Sequence, residues 1–422
     1  MSTHNAFPTT IYVLGTDRDI GKTVTCIGIM AKLLTPEYGY DKEDIAYMKP
    51  VGQETLTVVN GAGASIQVDK DAVLITSLLE LPTYGYDQIS PVVWQGGLTS
   101  RCIDDGAKGD PVAIQQGFME RIWASFLQIS EGKRLVILEG TGQPGVGSVA
   151  GISNGDVINM LRARGVPVFV IMVAEGGIGS TIDQIFPYLM ALDHMGTRID
   201  GFIINGVLVD KLDKIRHYLT TYYTKNILAL YGHRLVSQPP PPILGFVPTV
   251  PELRYPTLRL IAETFATQPD SGIEVIAPED FDAAACQLVH NLKVINLVYG
   301  YEPYVNPGDA VVVGVNANDI TLAMLLLHKR LIRRKGVGLA GLILSCKSAG
   351  GLSPQVRDLL ADENLPTIAV NYDSADVIMR VDNLRVKIQP YDLIKRDLII
   401  QTYREHLVLD LDLAKAAALA KG

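Results

Sequence analysis

A chain of 422 residues is expected to fold as two or three domains. With 48% hydrophobic and 19% charged residues it is a well-cored globular chain, and a net charge of −8 argues against a general nucleic-acid binder. Its four cysteines (Cys26, Cys102, Cys286, Cys346) are far apart with no Cys-x-x-Cys pair. That spacing excludes a zinc framework and a disulfide scaffold and fits a reducing cytoplasm. A cytoplasmic protein with no membrane partner is therefore expected: no signal-peptide pattern occupies Met1–Pro8, and no apolar run approaches the ~20 residues of a membrane span.

Ile11-Tyr12-Val13-Leu14 is a short apolar run that suits a buried parallel strand. Gly15 breaks it, a polar loop follows, and Gly21-Lys22-Thr23 opens a segment with helical spacing, Val24–Leu34. Strand, loop, Gly-Lys-Thr and helix form the layout of a P-loop, in which backbone N–H groups and a helix N-terminus surround phosphate oxygens. Lys22 is the candidate for neutralising the outer phosphates, and Thr23 for binding magnesium. The match to G-x-x-x-x-G-K-[ST] is not literal, because Thr16 fills the slot of the first glycine and the glycine lies one earlier.

Asp44–Met48 reads as the next strand, stopped by Pro50, so Lys49 projects at its carboxyl end, where ligands bind open α/β sheets. In Val68–Ile75 an acidic start precedes apolar periodicity, the pattern of a helix N-terminus. Asp69 and Asp71 each have two readings there, a helix cap or a magnesium-shell carboxylate. Gly96–Pro111 reads as a long polar loop, a candidate small-molecule contact together with Lys49, and a helix follows over Val112–Ile129. Arg134–Leu138 is an apolar strand ending in Glu139, a Walker-B-like carboxylate able to hold magnesium or its waters. The glycine-rich Gly140–Ser148 segment after it is a candidate phosphate-sensing loop.

Val166–Val173 and Gly201–Val207 are further apolar strands, and Asn205 at the end of the second carries an amide suited to a base edge. Lys211–Tyr231 is amphipathic. Despite Pro239–Pro242, Ile243–Pro248 reads as one more strand, with a helix near Thr257–Phe265. Strands alternating with helices imply an α/β fold: a P-loop NTPase mostly parallel sheet with helices on both faces over residues 1–268. A smaller C-terminal α/β domain over 269–422 is expected beyond Gln268–Gly272. Its strands are Asp309–Val315, Gly338–Ser345 and Leu365–Val370, a helix runs from Asp319 to Arg334, Lys329–Lys335 is a solvated helix end, and the tail is helical and then alanine-rich.

Several of these positions resemble the dethiobiotin synthetase family, which also looks like the N-terminal module of long phosphotransacetylases. They are Gly15–Thr23, Lys49-Pro50-Val51, Ser90-Pro91, Glu139-Gly140, Asn205 and Leu244–Pro248. The resemblance implies ATP and Mg2+ as cofactors. It implies a phosphate site on Gly15, Thr16, Asp17, Asp19, Ile20, Gly21, Lys22, Thr23 and Val24. Asn205 would read adenine, Val247 and Pro248 would close over the base, and Thr23, Asp71 and Glu139 would hold the metal. Lys22 and Lys49 would stabilise charge on a transferring phosphoryl group. Pro307-Gly308-Asp309, Asn318-Asp319-Ile320 and Gly338–Ser345 resemble the DRTGG domain that follows this module in those enzymes. The eponymous motif is not intact, and no room for a phosphotransacetylase catalytic domain is expected after Val370.

Val51-Gly52-Gln53-Glu54 departs from the dethiobiotin synthetase pattern, so nucleotide binding is better supported than diamine carboxylation. Three functions follow. The first is a regulatory or sensor ATPase; the second is an ATP-dependent ligase of the dethiobiotin synthetase or cobyrinate diamide synthase type. The third is an assembly protein with a vestigial P-loop. The family resemblance implies a homodimer.

Overall fold

The computed structural model describes residues 7–408 apart from Thr83, residues 236–239 and Gly350. Pro239 and the alanine-rich tail, which the sequence singles out, lie outside the described residues. The described residues form two compact units, one reaching to residue 249 and joined by the segment from residue 396, the other residues 250–395.

The main sheet of the first unit holds six parallel strands: β1 (Thr9–Gly15), β2 (Ile45–Met48), β3 (Leu135–Glu139), β4 (Val168–Glu175), β5 (Gly201–Val207) and β6 (Ile243–Pro248), in the order β6-β5-β4-β1-β3-β2. An all-parallel sheet is covered on both faces, which demands strands that are apolar on both sides. Ile11–Leu14 and every residue of β3 are buried accordingly. Helix α1 (Lys22–Leu33) leaves the end of β1 after a six-residue loop.

In two places the structure corrects the expected elements of this unit. Residues 96–111 are not a loop: Leu98–Lys108 is a helix that buries Cys102, and Asp110 caps the next one, Pro111–Ser130, by accepting from the Val112 N–H at 2.8 Å. The polar stretch after Gly52 forms an antiparallel hairpin, Thr55–Val59 against Ser65–Asp69. The alternation of Thr with Leu and Val over residues 55–58, followed by Asn60-Gly61, was the available signal for it.

The second unit is a five-stranded sheet of β7 (Glu274–Ala277), β8 (Leu292–Val294), β9 (Ala310–Gly314), β10 (Gly341–Ser345) and β11 (Thr367–Ala369), in the order β7-β11-β10-β9-β8. Only β7 is antiparallel to its neighbour. Alternate residues of each strand feed two cores. Val311, Val313, Leu342 and Leu344 pack with Met324 and Leu331 of the helix Asn318–Lys335. Val312, Ile343 and Ile368 pack on the other face with Leu258, Ile261 and Phe265. The helix Leu258–Ala266, which precedes residue 268, buries its apolar stripe in this second core, and contacts group residues 250–395 as one unit. The expected helix end is paired at one point, where Lys329 reaches Glu363 at 2.5 Å. Among the described residues no helix is long and apolar enough to cross a membrane.

Candidate functional site

Because all six strands of the first sheet point the same way, their carboxyl ends line one edge, the usual place for a ligand in this architecture. Gly15 ends β1, Lys49 follows β2, Glu139 ends β3, Asn205 lies near the end of β5, and Val247 and Pro248 end β6. Val247 and Pro248 stand beside β5, with Pro248 in register with Val207.

The loop between β1 and α1 is shaped by its neighbours. Thr16 donates its backbone N–H to Val173 at 3.0 Å and its hydroxyl to Gln184 at 3.2 Å. Gly21 precedes α1 with φ near +91°, and a Cβ there would lie 2.3 Å from the Asn205 amide nitrogen, so only glycine fits. That amide donates to the Ile20 carbonyl at 2.8 Å. Asn205 therefore touches the phosphate loop itself. Val24 is half-buried in the first turn of α1, and Asp17 and Asp19 are exposed on the loop. Asp17 accepts from Gln143 at 3.2 Å, which brings the glycine-rich segment after Glu139 against the loop. Gln53, four residues beyond Lys49, accepts from Arg18 at 3.2 Å.

Lys22 folds back over the loop and donates to the carbonyls of Asp17 (2.7 Å) and Arg18 (2.9 Å). Burial pushes its ammonium down to about 8, Lys49 adds to that, and Glu139 opposes it. A phosphate anion against Lys22 would restore its proton. ATP affinity is therefore expected to be highest below pH 8 and to fall by up to about tenfold per pH unit above it. The check is calorimetric titration of ATP from pH 7 to 9.5 in buffers of different ionisation enthalpy. Proton uptake should grow above pH 8, and Lys22→Arg should flatten the profile; a flat wild-type profile would refute the assignment.

Lys49 is not a solvated loop lysine. It is 5% exposed, and its ammonium meets Asp69 at 3.1 Å, Glu139 at 3.5 Å, and Asp71 in a short contact. Burial works against its charge, but Glu139, Asp71 and Asp69 outweigh it and hold the ammonium well above its ordinary value. The two readings of the aspartates separate here. Asp69 is the cap of the helix Lys70–Leu78: one oxygen accepts from the Asp71 N–H at 2.9 Å, the other from the Gln53 N–H at 2.9 Å. The side chain of Asp71 is free of capping and points to Lys49. Glu139 is 1% exposed; it accepts from the Thr23 hydroxyl at 2.9 Å and the Tyr47 hydroxyl at 2.8 Å. Burial raises its carboxyl, against the pull of Lys49.

Lys22, Thr23, Lys49, Asp71 and Glu139 thus share one cluster. Among the described residues no three His, Cys, Asp or Glu side chains form a ready metal cage; the Lys49 ammonium already sits among Asp69, Asp71 and Glu139. Magnesium keeps several waters and needs only one or two carboxylates beside phosphate oxygens. The hard oxygens of Thr23, Glu139 and Asp71 fit that requirement. Sequence reasoning missed Tyr47, although it lies two residues before Lys49 on the same strand side. It also missed Tyr403, which no local pattern could reveal. A separate groove of about 250 Å³, lined by Cys102, Val112, Gln115 and Val149 among others, borders the helix Leu98–Lys108 and contains neither phosphate-loop residues nor Lys49.

Comparison with known proteins adds the lineage. A family model described as an AAA domain (AAA_26) matches residues 9–257, and a DRTGG domain model matches residues 294–384. The ATP-dependent dethiobiotin synthetase BioD of Clostridium kluyveri is 28% identical over 199 residues, covering 46% of this chain and 73% of that protein. The cobyric acid synthase of Listeria welshimeri is 25% identical over 204 residues, again 46% of this chain but only 38% of that protein. The solved CBS and DRTGG domains of the regulatory region of Clostridium perfringens pyrophosphatase, complexed with diadenosine tetraphosphate, align at 14% identity with a TM-score of 0.24. That alignment covers 34% of this chain and 50% of the other. Since the first family model spans more than half of the sequence, the chain belongs to the AAA domain (AAA_26) family of P-loop nucleotide-binding proteins and carries a DRTGG domain after it.

Proposed function

We propose that the protein is a Mg-ATP-binding regulatory ATPase: the P-loop unit binds the nucleotide and the DRTGG-bearing unit responds to its state. ATP phosphates would lie on residues 15–24 with Lys22 against the outer phosphates. Thr23, Glu139 and Asp71 would hold magnesium, which would neutralise phosphate charge. The observation that carries this reading over ligase chemistry is the surroundings of Lys49. A lysine stabilising a carbamate or carboxylate in transfer needs uncommitted charge, whereas three carboxylates surround this one. Two segments also lean on the phosphate loop, through Gln143 on Asp17 and Gln53 on Arg18. A γ-phosphate in the loop would meet these contacts and hydrolysis would release them, the logic of an NTPase switch.

The ligase reading retains one specific support, the match to a dethiobiotin synthetase over 73% of its length. The deciding experiment is ATP turnover with magnesium, with and without a diamine plus bicarbonate. Tight magnesium-dependent binding with turnover far below the ~1–1000 s⁻¹ typical of enzymes, unchanged by diamine, is the expected result. Diamine-stimulated phosphate release with a carboxylated product would replace the switch with a ligase.

A further inference from the structure

The segment after residue 395 follows the DRTGG match in sequence, yet it belongs to the nucleotide-binding unit. Leu407 forms an antiparallel bridge to Gly245 of β6, and the Val408 N–H donates to the Leu244 carbonyl at 2.9 Å. Lys32 of α1 donates to the Arg404 carbonyl at 3.0 Å. Between these anchors Tyr403 is 1% exposed, and its ring lies against Gly28 of α1, where a Cβ would come within 2.1 Å of the ring.

The hydroxyl of Tyr403 has two partners: the Thr25 hydroxyl at 2.8 Å and the Asn205 side-chain oxygen at 3.5 Å. A phenol has one proton to give. The Asn205 oxygen can only accept, so Tyr403 donates to it and Thr25 donates to Tyr403. The other end of the same amide donates to the Ile20 carbonyl inside the phosphate loop. A directional chain therefore runs from Thr25 through Tyr403 and Asn205 to Ile20, and it fixes which way the Asn205 amide points.

We propose that Tyr403 is a positioning residue for the nucleotide: it orients the Asn205 amide, and through it the phosphate loop. The residue is 198 positions away from Asn205 and lies in a segment beyond both family matches. This rests on the reading that ATP occupies the P-loop. The amide keeps one N–H and one lone pair for an adenine edge only while it is held in this orientation.

The test is ATP and GTP binding to full-length Tyr403→Phe, Asn205→Ala, the double variant and Lys22→Ala, with melting of the nucleotide-free proteins alongside. Tyr403→Phe keeps the ring on Gly28. It should weaken ATP by roughly three- to tenfold, the worth of one hydrogen bond, and narrow the preference for ATP over GTP. Adding it to Asn205→Ala should change nothing further, because its effect passes through that amide. A merely structural tyrosine would lower the melting temperature and add its loss in the Asn205→Ala background. Unchanged ATP affinity in Tyr403→Phe, or additive losses, would overturn the proposal while Lys22→Ala still abolishes binding. Wild-type affinity in Lys22→Ala would instead remove the P-loop reading and this proposal with it. Should Tyr403→Phe fold poorly, Tyr403→Leu removes the same hydroxyl with an apolar side chain and must give the same loss of ATP affinity and the same narrowed preference.

Discussion

Lys22→Ala is expected to weaken ATP binding by at least about 30-fold and to leave the melting temperature of the nucleotide-free protein almost unchanged. In the structure Lys22 is 5% exposed, and its ammonium is held by two backbone carbonyls. Burial disfavours that charge, as its lowered pKa reports. Removing the side chain loses two hydrogen bonds but also relieves a desolvation cost, so the two effects nearly offset. With a nucleotide bound the balance differs. A buried cation against phosphate oxygens makes charge-assisted bonds with no water to compete, and truncating such a partner costs about 2–5 kcal/mol. Calorimetric titration with ATP, next to thermal melts without it, separates the two states. Retained affinity would mean that the phosphates lie elsewhere.

The glycine–lysine–threonine loop was readable because its chemistry is local: β1, the turn and α1 are contiguous, and apolar runs ended by Lys49, Glu139 and Asn205 needed only strand periodicity. Parallel connectivity then brings those strand ends to one edge, so sequence order sufficed to expect one site. What could not be read depends on long-range partners. The environment of Lys49 turns on which of Asp69 and Asp71 takes the helix cap, and that is decided by the backbone of Gln53. The helix Leu98–Lys108 was hidden by its polar face and flanking glycines, although Cys102 is buried on its inner side. The unit boundary depends on where the helix Leu258–Ala266 buries its stripe. Tyr403 has no signature at all, since its role comes from a segment that returns to β6 and α1 from the far end of the chain.

Lys49→Met should produce a large loss of stability through charge alone. Methionine fills nearly the same volume, so the change isolates the charge. Asp69 is fully buried, Glu139 is 1% exposed, and both carboxyls are already raised by burial while Lys49 pulls them down. Without the ammonium these carboxylates would face one another in a low-dielectric site, and breaking a buried pair from one side costs about 3–5 kcal/mol. For a unit of this size that corresponds to a fall of roughly 10 °C in melting temperature at pH 8. The sign with pH follows from linkage: a carboxyl whose folded pKa lies above its unfolded value contributes stability at low pH and loses it as pH rises through the folded value. Without Lys49 both folded values lie higher still and the loss is larger, so the deficit against wild type should shrink as the pH falls and Asp69 and Glu139 take up protons. Melts of both proteins from pH 5 to 8.5 provide the check. An equal deficit at every pH would mean that Lys49 contributes packing rather than charge, and no deficit at all would mean that the carboxylates do not depend on it.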